Sequence, residues 1–467
     1  MVPRFYQEDC AEAFLLGVDT GLICATGSGK TEAFVLPLLA DPTEKSKIVV
    51  VSTLNALQGD QAQQFNKYGI IAAAVNGTTY NDALHKDLES GRIRAILTSP
   101  EMIFKHPRFS QLMRNSEWTK TLIGMVIDEA HCVLEWGKEF RRDFDELEKT
   151  RSYMTRKPLF FCTATLTPGM LDQLLTKLAF PQCRRFLINL GNERHNITPI
   201  ICRMKGPRDF EALDFILDEV LAEPPQPIVP ALIYADTREV VRSVWIYLVK
   251  KLPTDSPHRS EIDFLFSSRS EPVKTIVLAK FLRGIVKILV STEAAGMGLD
   301  ARISRVIQFG TPRTLLELQQ HAGRAGRDGN AAYSLLLVEP SVLQVIIRKK
   351  PRPVKGKGKT KSTLADGQPV QYRKDVKQDM RDYCMADGCR RDITRRYFNS
   401  PASMQGIVKK YTDTMLMPIN LLPDDLLSTL ASEAKIKTIG DIKQNIPSWV
   451  FAEELGSLAL TRIEEVD

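Results

Sequence analysis

The chain has 467 residues, more than one hydrophobic core accommodates, since single cores stop growing near ~250–300 residues; two domains and an appendage are expected. Hydrophobic residues at 43% and charged residues at 25% match a soluble globular protein, and no apolar run approaches the ~18 residues that cross a bilayer, so no membrane role is expected. The net charge of +7 is local: the run RKKPRPVKGKGKTK from Arg348 to Lys361 holds eight Lys or Arg and no acid, and without those eight the chain would carry −1, the pattern of a tract that binds nucleic acid or an import receptor.

The amino terminus, MVPRFYQEDC, has neither an apolar stretch behind a basic start nor a small-residue cleavage site, and predicts a protein kept inside the cell. Short apolar runs of strand length then alternate with helical stretches: LICAT (22–26), IVVVS (48–52), RAILTS (94–99), MVIDEA (125–130) and LFFCTAT (159–165). That alternation predicts a buried parallel sheet wrapped by helices. A second series follows, ALIYAD (231–236), KILVST (287–292), RVIQFG (305–310) and YSLLLV (333–338), so the reading is two α/β domains joined near Gly191–Thr198. AEPPQPIVP (222–230) reads as a loop before the first strand of the second domain. The boundaries are placed at 1–192 and 193–347 for the two domains, 348–375 for a basic flexible linker, 376–415 for a small further region and 416–467 for a helical tail, in which Pro423 opens one helix and Ser448 caps another. The Lys/Gly/Pro tract cannot bury a core and reads as disordered. Eight scattered cysteines, several in strand-like runs, suit buried free thiols better than a disulfide framework.

CATGSGKT (24–31) follows a strand and opens the helical stretch TEAFVLPLL, the setting of a phosphate-binding loop. Glycines let backbone N–H groups approach phosphate oxygens and the helix start adds positive potential; Thr26, Gly27, Ser28 and Gly29 form the cradle, Lys30 reaches the β and γ phosphates, and Thr31 can ligate Mg²⁺. Asp128 and Glu129 end an apolar strand, so their carboxylates emerge at the carboxyl edge of a sheet, where open α/β folds bind ligands. Two roles suit them: Asp128 holding Mg²⁺ through water and Glu129 accepting the proton of an attacking water. Alone, such a pair is also a helix-start signal. QHAGRAGRDG (320–329) places Arg324 and Arg327 three residues apart, which on a helix would share a face; guanidinium groups suit the charge that spreads over a transferring γ-phosphoryl group. A pair of solvated arginines beside a glycine turn is the plainer alternative.

Together these residues resemble the superfamily-2 helicases, and among them the RecQ family of DNA helicases. The resemblance is carried in order by Arg4 and Gln7 in RFYQ, similar to an adenine-recognition motif; ATGSGKT; STLNALQGDQ (52–61); TSPE (98–101); DEAH (128–131); TAT (163–165); ALIYADTREVV (231–241); STEAAGMGLD (291–300), which ends on Asp300; and Gln320 with GRAGRDG, over roughly residues 1 to 338. It implies two tandem RecA-like domains with ATP and Mg²⁺ between them, and single-stranded and forked DNA as partners. Lys30, Asp128, Glu129, Gln320, Arg324 and Arg327 would perform hydrolysis, with Arg4, Gln7 and Asp300 added to the nucleotide contacts. It further implies 3′ to 5′ movement and, with the basic tract, a nuclear location.

In that family DEAH is followed by an aromatic-rich loop that couples DNA to hydrolysis, and CVLEWGKEFRRDF is similar, with Trp136, Phe140, Arg141 and Phe144 in the matching places. Stacking of bases on aromatic rings tolerates any sequence; equally, positions 136, 140 and 144 would share one face of a helix and suit a core. Lys138 and Glu139 stand where the family usually has His and Asp, and FLFSSRSEP (264–272) replaces an aromatic–His–Ala–Gly sequence. YCMADGCRRDITRRYF (383–398) resembles the start of a zinc-binding subdomain, but no Cys or His follows Cys389. A structural zinc needs four N or S ligands, so none is expected, nor is a winged-helix domain. Two rivals stay open at this point: an ATPase that translocates without separating strands, and a nucleic-acid-binding helicase relative that no longer hydrolyses ATP.

Overall fold

A computed structural model describes residues 3–52, 55–136, 142–152, 154, 157–182, 184–221, 227–293, 301–345 and 372–401. Thirteen strands form two sheets among the described residues. The first sheet holds β1 (Asp19–Cys24), β2 (Lys47–Val51), β3 (Ala72–Val75), β4 (Ala95–Thr98), β5 (Leu122–Ile127), β6 (Leu159–Thr163) and β7 (Arg185–Gly191), in the order β3-β4-β2-β5-β6-β1-β7. The second holds β8 (Ile197–Arg203), β9 (Ala231–Ala235), β10 (Ile262–Leu265), β11 (Ile288–Ser291), β12 (Arg305–Phe309) and β13 (Ala332–Val338), in the order β10-β11-β9-β12-β13-β8. Every pairing in both is parallel, as the alternation of strand and helix predicts.

Each sheet buries both faces. Residues of β1, β2, β5 and β6 divide by parity: Val49, Val51, Met125, Ile127 and Phe161 enter one cluster, while Leu22, Ile48, Val50, Val126 and Phe160 enter the other. The nine strands expected from apolar runs are all interior strands. The four not expected, β3, β7, β8 and β10, are the edges of the two sheets. The second domain therefore begins with β8, not with ALIYAD. Its sequence ITPIICR carries Pro199 and is largely exposed, which an edge strand tolerates because only one side needs its donors.

Beyond the second sheet, the helices Gln378–Met385 and Arg390–Phe398 fold back on the molecule. Met380, Tyr383 and Cys384 pack with Leu315, Leu318 and Leu336 of the second domain. Asn399 and Ser400 reach the end of β7 instead: Asn189 Nδ2 donates to Asn399 O at 3.3 Å, and Ser400 Oγ lies 3.2 Å from Asn192 Oδ1. The basic linker expected up to residue 375 ends earlier. Lys374 pairs with Asp236 at 2.8 Å and with Glu339, whose carboxylate also accepts from Thr311 N and Oγ at 2.8 and 3.0 Å. The tail from 402, including Pro423 and Ser448, lies outside the described residues.

Candidate active site

The phosphate loop follows β1 and runs into the helix Lys30–Leu39. Gly27 and Gly29 take positive φ (80° and 86°), where a side chain is strained. A Cβ on Gly29 would also meet Gln7 Nε2 at 2.5 Å. The helix Phe5–Leu15 clasps this loop: Gln7 Nε2 donates to Gly29 O at 2.8 Å, and Arg4 Nη1 and Tyr6 Oη both donate to Ser28 O. Gln7 Oε1 in turn accepts from Arg4 N at 2.7 Å. Arg4 and Gln7 thus stand beside the loop, and Tyr6, which sequence reasoning did not single out, stands with them. Lys30 Nζ lies 3.4 Å from the carbonyls of Cys24 and Ala25, folded over the cradle, and Thr31 sits in the first turn of the helix.

Asp128 and Glu129 leave the carboxyl end of β5, two strands from β1 across β6. Asp128 is held from three directions: Gln61 Nε2 donates to Oδ2 at 2.6 Å, while Cys162 Sγ and Glu129 N donate to Oδ1 at 3.2 and 2.9 Å. Glu129 takes a left-handed backbone with φ 49°, a strained state of the kind found at functional sites. Burial opposes ionisation of both carboxyls. At Asp128 the charge of Glu129 adds to it and the carboxyl is pushed up. At Glu129 burial is outweighed by Lys30, His131, Arg324 and Arg327, which hold that carboxyl below its usual range. Adjacent carboxyls driven apart in this way take different roles, and Glu129 is the one kept as an anion. His131 Nδ1 lies 3.5 Å from Glu129 Oε2 and 3.0 Å from Thr163 Oγ1; burial, countered by Glu129, lowers its pKa.

The second domain meets this edge through the helix Leu315–Ala322 and the turn after it. Gln320 Nε2 lies 3.3 Å from Thr165 Oγ1. Arg324 and Arg327 do not share a helical face as their spacing suggests, because the helix ends at Ala322 and both sit in the glycine-bearing turn, where Gly326 has φ 54°. The approach is close: a Cβ on Gly323 would lie 3.4 Å from Thr26 Oγ1, and one on Gly27 would lie 4.0 Å from Arg327 O. His321 anchors the helix end, stacked on Tyr234 at 3.8 Å with Nδ1 2.8 Å from Gln308 Oε1. Burial and Arg324 lower its pKa to about 3.

The donor set fits a magnesium nucleotide. The loop offers backbone N–H groups and Lys30 for phosphates, and Thr31 and Asp128 offer the oxygen donors that a hard divalent cation takes. When bound, the ion would neutralise charge on the phosphates. Gln61 and Cys162, which fix Asp128, escaped the sequence reading; Gln61 lies inside the quoted STLNALQGDQ run and Cys162 directly precedes TAT, so proximity to motifs was the available signal.

Of the coupling residues, Phe144 is corrected. It is 1% exposed and packs with Val133 and Leu147 in the core of the first domain, so it offers no face to a base, and the segment Arg142–Ser152 is a 3₁₀ helix separate from Cys132–Trp136. Phe140, Arg141 and Asp300, and the side chain of Trp136, lie outside the described residues. In the departing segment 264–272, Arg269 is engaged locally, 3.3 Å from Asp263 and over the Phe264 ring at 4.3 Å. Cys384 is buried, its thiol pushed up to about 12 chiefly by burial, and Cys389 is exposed. Among the described residues no three His, Cys, Asp or Glu gather as a metal site.

Comparison with known proteins agrees with this geometry. The DEAD/DEAH box helicase family model matches residues 4–174, and the helicase conserved C-terminal domain model matches 213–329. The chain is 30% identical over 339 residues to the probable ATP-dependent DNA helicase RecS of Bacillus subtilis, covering 72% of this chain and 64% of that protein. It is 27% identical over 352 residues to the ATP-dependent DNA helicase RecQ of Haemophilus influenzae, covering 74% of this chain and 53% of that one. The chain thus spans between about half and two thirds of the length of these two relatives. Among solved structures it is similar to S. cerevisiae Dbp5 bound to RNA and ADP BeF3 (TM-score 0.57, 14% identity, 89% of this chain and 94% of that one). It is also similar to the DUF1998 helicase MrfA bound to DNA (TM-score 0.57, 17% identity, 72% and 49%). These likenesses show the fold, two tandem RecA-like domains. With the motifs in order and RecQ-named relatives across most of the matched length, the chain is similar to RecQ-named DNA helicases and carries a region matching the DEAD/DEAH box helicase model followed by one matching the helicase C-terminal model.

Proposed function

We propose that the chain is an ATP-driven motor that moves 3′ to 5′ along single-stranded DNA and separates duplex DNA. The observation that carries this reading is geometric: the phosphate loop and the Asp128–Glu129 pair of one domain face Gln320 and the arginine turn of the other, with Gln320 Nε2 3.3 Å from Thr165 Oγ1 and a Cβ on Gly323 only 3.4 Å from Thr26 Oγ1. A site assembled from both domains is complete only while the cleft is closed, which ties hydrolysis to domain movement. Asp128 would hold Mg²⁺, and Arg324 and Arg327 would face the charge on the γ-phosphoryl group. The choice of DNA draws on the relatives named above and on MrfA, whose structure holds DNA and AMPPNP.

Forked duplex carrying a 3′ single-stranded arm is the direct test. ATP-dependent release of the labelled strand, absent with AMPPNP, is expected; displacement of streptavidin from a biotinylated end without strand release would reduce the activity to translocation. Coupling is placed in the loop after DEAH, so Trp136→Ala is expected to keep basal hydrolysis and lose stimulation by DNA, and unchanged stimulation would remove Trp136 from that role. The basic tract extends the reading to a nuclear location, checked by imaging a tagged chain with and without residues 348–361.

A further inference from the structure

The connection between β7 and β8 carries an arginine that belongs to none of the motifs. Arg194 Nη1 donates to Thr26 O at 2.7 Å, and Nη2 donates to Gly326 O at 2.5 Å, with Ala325 O at 3.4 Å. Thr26 opens the phosphate loop of the first domain, and Gly326 lies between Arg324 and Arg327 of the second. One planar group therefore touches both halves of the cleft at backbone atoms. Asn196, two residues on, supports the same turn: its Nδ2 donates to Gly326 O and Asn330 O, both at 2.8 Å, and its Oδ1 accepts from Arg194 Nε at 3.3 Å. A Cβ on Gly326 would sit 2.5 Å from Asn196 Nδ2, so the turn is already in full contact with the connection.

The connection is itself held from the far side. Arg391, on the helix Arg390–Phe398, donates to Glu193 Oε1 at 3.1 Å and to the carbonyls of Arg194, His195 and Ile197 at 3.2, 3.3 and 2.7 Å. Four acceptors on one short segment fix its backbone, and with it the starting point of the Arg194 side chain. A guanidinium presents donors in a rigid fork, so two carbonyls from different domains satisfy it together only at one separation. Opening the cleft must break at least one of the two bonds.

We propose that Arg194 is a positioning residue for hydrolysis: bridging Thr26 and Gly326, it sets where Arg324 and Arg327 stand relative to the phosphate loop, and Arg391 holds the connection that carries it. The inference rests on the reading of this cleft as an ATPase site. Because Arg194 meets backbone carbonyls of the loop and the turn, its loss should misplace the arginines with little effect on nucleotide binding.

The test compares the wild-type chain of 467 residues with Arg194→Ala, Arg194→Lys and Arg391→Ala, reading kcat and KM of DNA-stimulated hydrolysis, Kd for a fluorescent ATP analogue, and thermal melting. A misplacement of about 1 Å costs up to ~100-fold, so Arg194→Ala is expected to lose about 10- to 100-fold in kcat, with Kd changed by less than about threefold. Arg194→Lys should fall between, since a point charge cannot span both carbonyls, and Arg391→Ala should give a smaller loss of the same kind. Wild-type kcat in Arg194→Ala, or a loss expressed wholly as weaker nucleotide binding, would overturn the proposal; if that variant does not fold, full activity in Arg194→Lys overturns it instead. A wild type whose hydrolysis ignores DNA removes the motor reading while leaving the bridge open to the same kcat comparison, and a wild type without hydrolysis removes both.

Discussion

The two edges of the first sheet use their polar groups in opposite ways. At the amino edge, charge is consumed by structure. Asp19, at the start of β1, accepts both Arg151 nitrogens at 2.9 and 2.8 Å and Leu159 N at 2.8 Å; Arg94, at the start of β4, donates to Leu38 O at 2.7 Å and Ser46 O at 3.2 Å; Lys47, at the start of β2, donates to Trp118 O at 3.0 Å. At the carboxyl edge and the turn facing it, Gln61 Oε1, His321 Nε2 and Arg324 Nε are buried without a hydrogen-bond partner among the described residues, and Glu129 is held in a strained turn. Buried polar atoms cost stability unless they are satisfied. The amino edge therefore holds the domain together, and the carboxyl edge keeps hydrogen-bonding capacity in reserve at the place where the helix, the loop and the arginine turn converge.

That contrast predicts that substitutions at the carboxyl edge remove turnover and leave melting alone, while those at the amino edge do the reverse. The largest effect is expected from Arg327→Ala: an arginine facing a γ-phosphoryl group contributes ~10³–10⁵ in rate, so single-turnover hydrolysis should fall by about 10³ or more, with the fluorescent nucleotide still bound. Glu129→Gln removes the general base, for which ~10²–10⁴ is usual, and should relieve rather than worsen the crowding of the two carboxyls, leaving the melting temperature at or above that of the wild type. At the other edge, Arg151→Ala strands the buried Asp19 carboxylate, and breaking such a pair costs about 3 kcal/mol. Thermal melting should drop by several degrees while kcat per folded molecule stays at the wild-type value; a loss of kcat without loss of stability would dissolve the contrast.

The smallest effect concerns Lys47, whose ammonium is lowered to about 8 by burial. Its folded pKa lies below that of the unfolded chain, so between about pH 8 and the ordinary lysine value near ~10.4 the unfolded state binds more protons and stability rises with pH. Below that window the charged group is buried at a cost. Lys47→Met should lower the melting temperature at pH 7 by losing the bond to Trp118 O, and the deficit should widen as pH rises through the window, because only the wild type gains stability there. A constant difference would mean that burial does not shift this lysine.

The sequence made the interior of each sheet readable because a strand covered on both faces becomes a continuous apolar run. Edge strands are covered less, and all four went unread: β3 is three alanines and a valine, β7 and β8 expose much of their length, and β10 buries fully only two of its four residues. The phosphate loop and the DEAH segment were readable because each function sits in one contiguous stretch at a strand end. Arg324 and Arg327 were found, but their helical placement was not, since Gly323 and Gly326 open the turn that holds them. Phe144 was misassigned because periodic aromatics suit a core and a stacking surface equally. Arg194 left no trace at all: it acts on backbone carbonyls 168 and 132 residues away, and carbonyls have no sequence signature.

The most direct test is the steady-state ATPase rate of the wild type with Mg²⁺ and no polymer, with single-stranded DNA and with single-stranded RNA, beside Glu129→Gln. A motor predicts strong stimulation by DNA, weaker stimulation by RNA, and loss of both in Glu129→Gln at unchanged melting temperature. A rate that is flat across the three conditions, or one that survives in Glu129→Gln, would contradict the account.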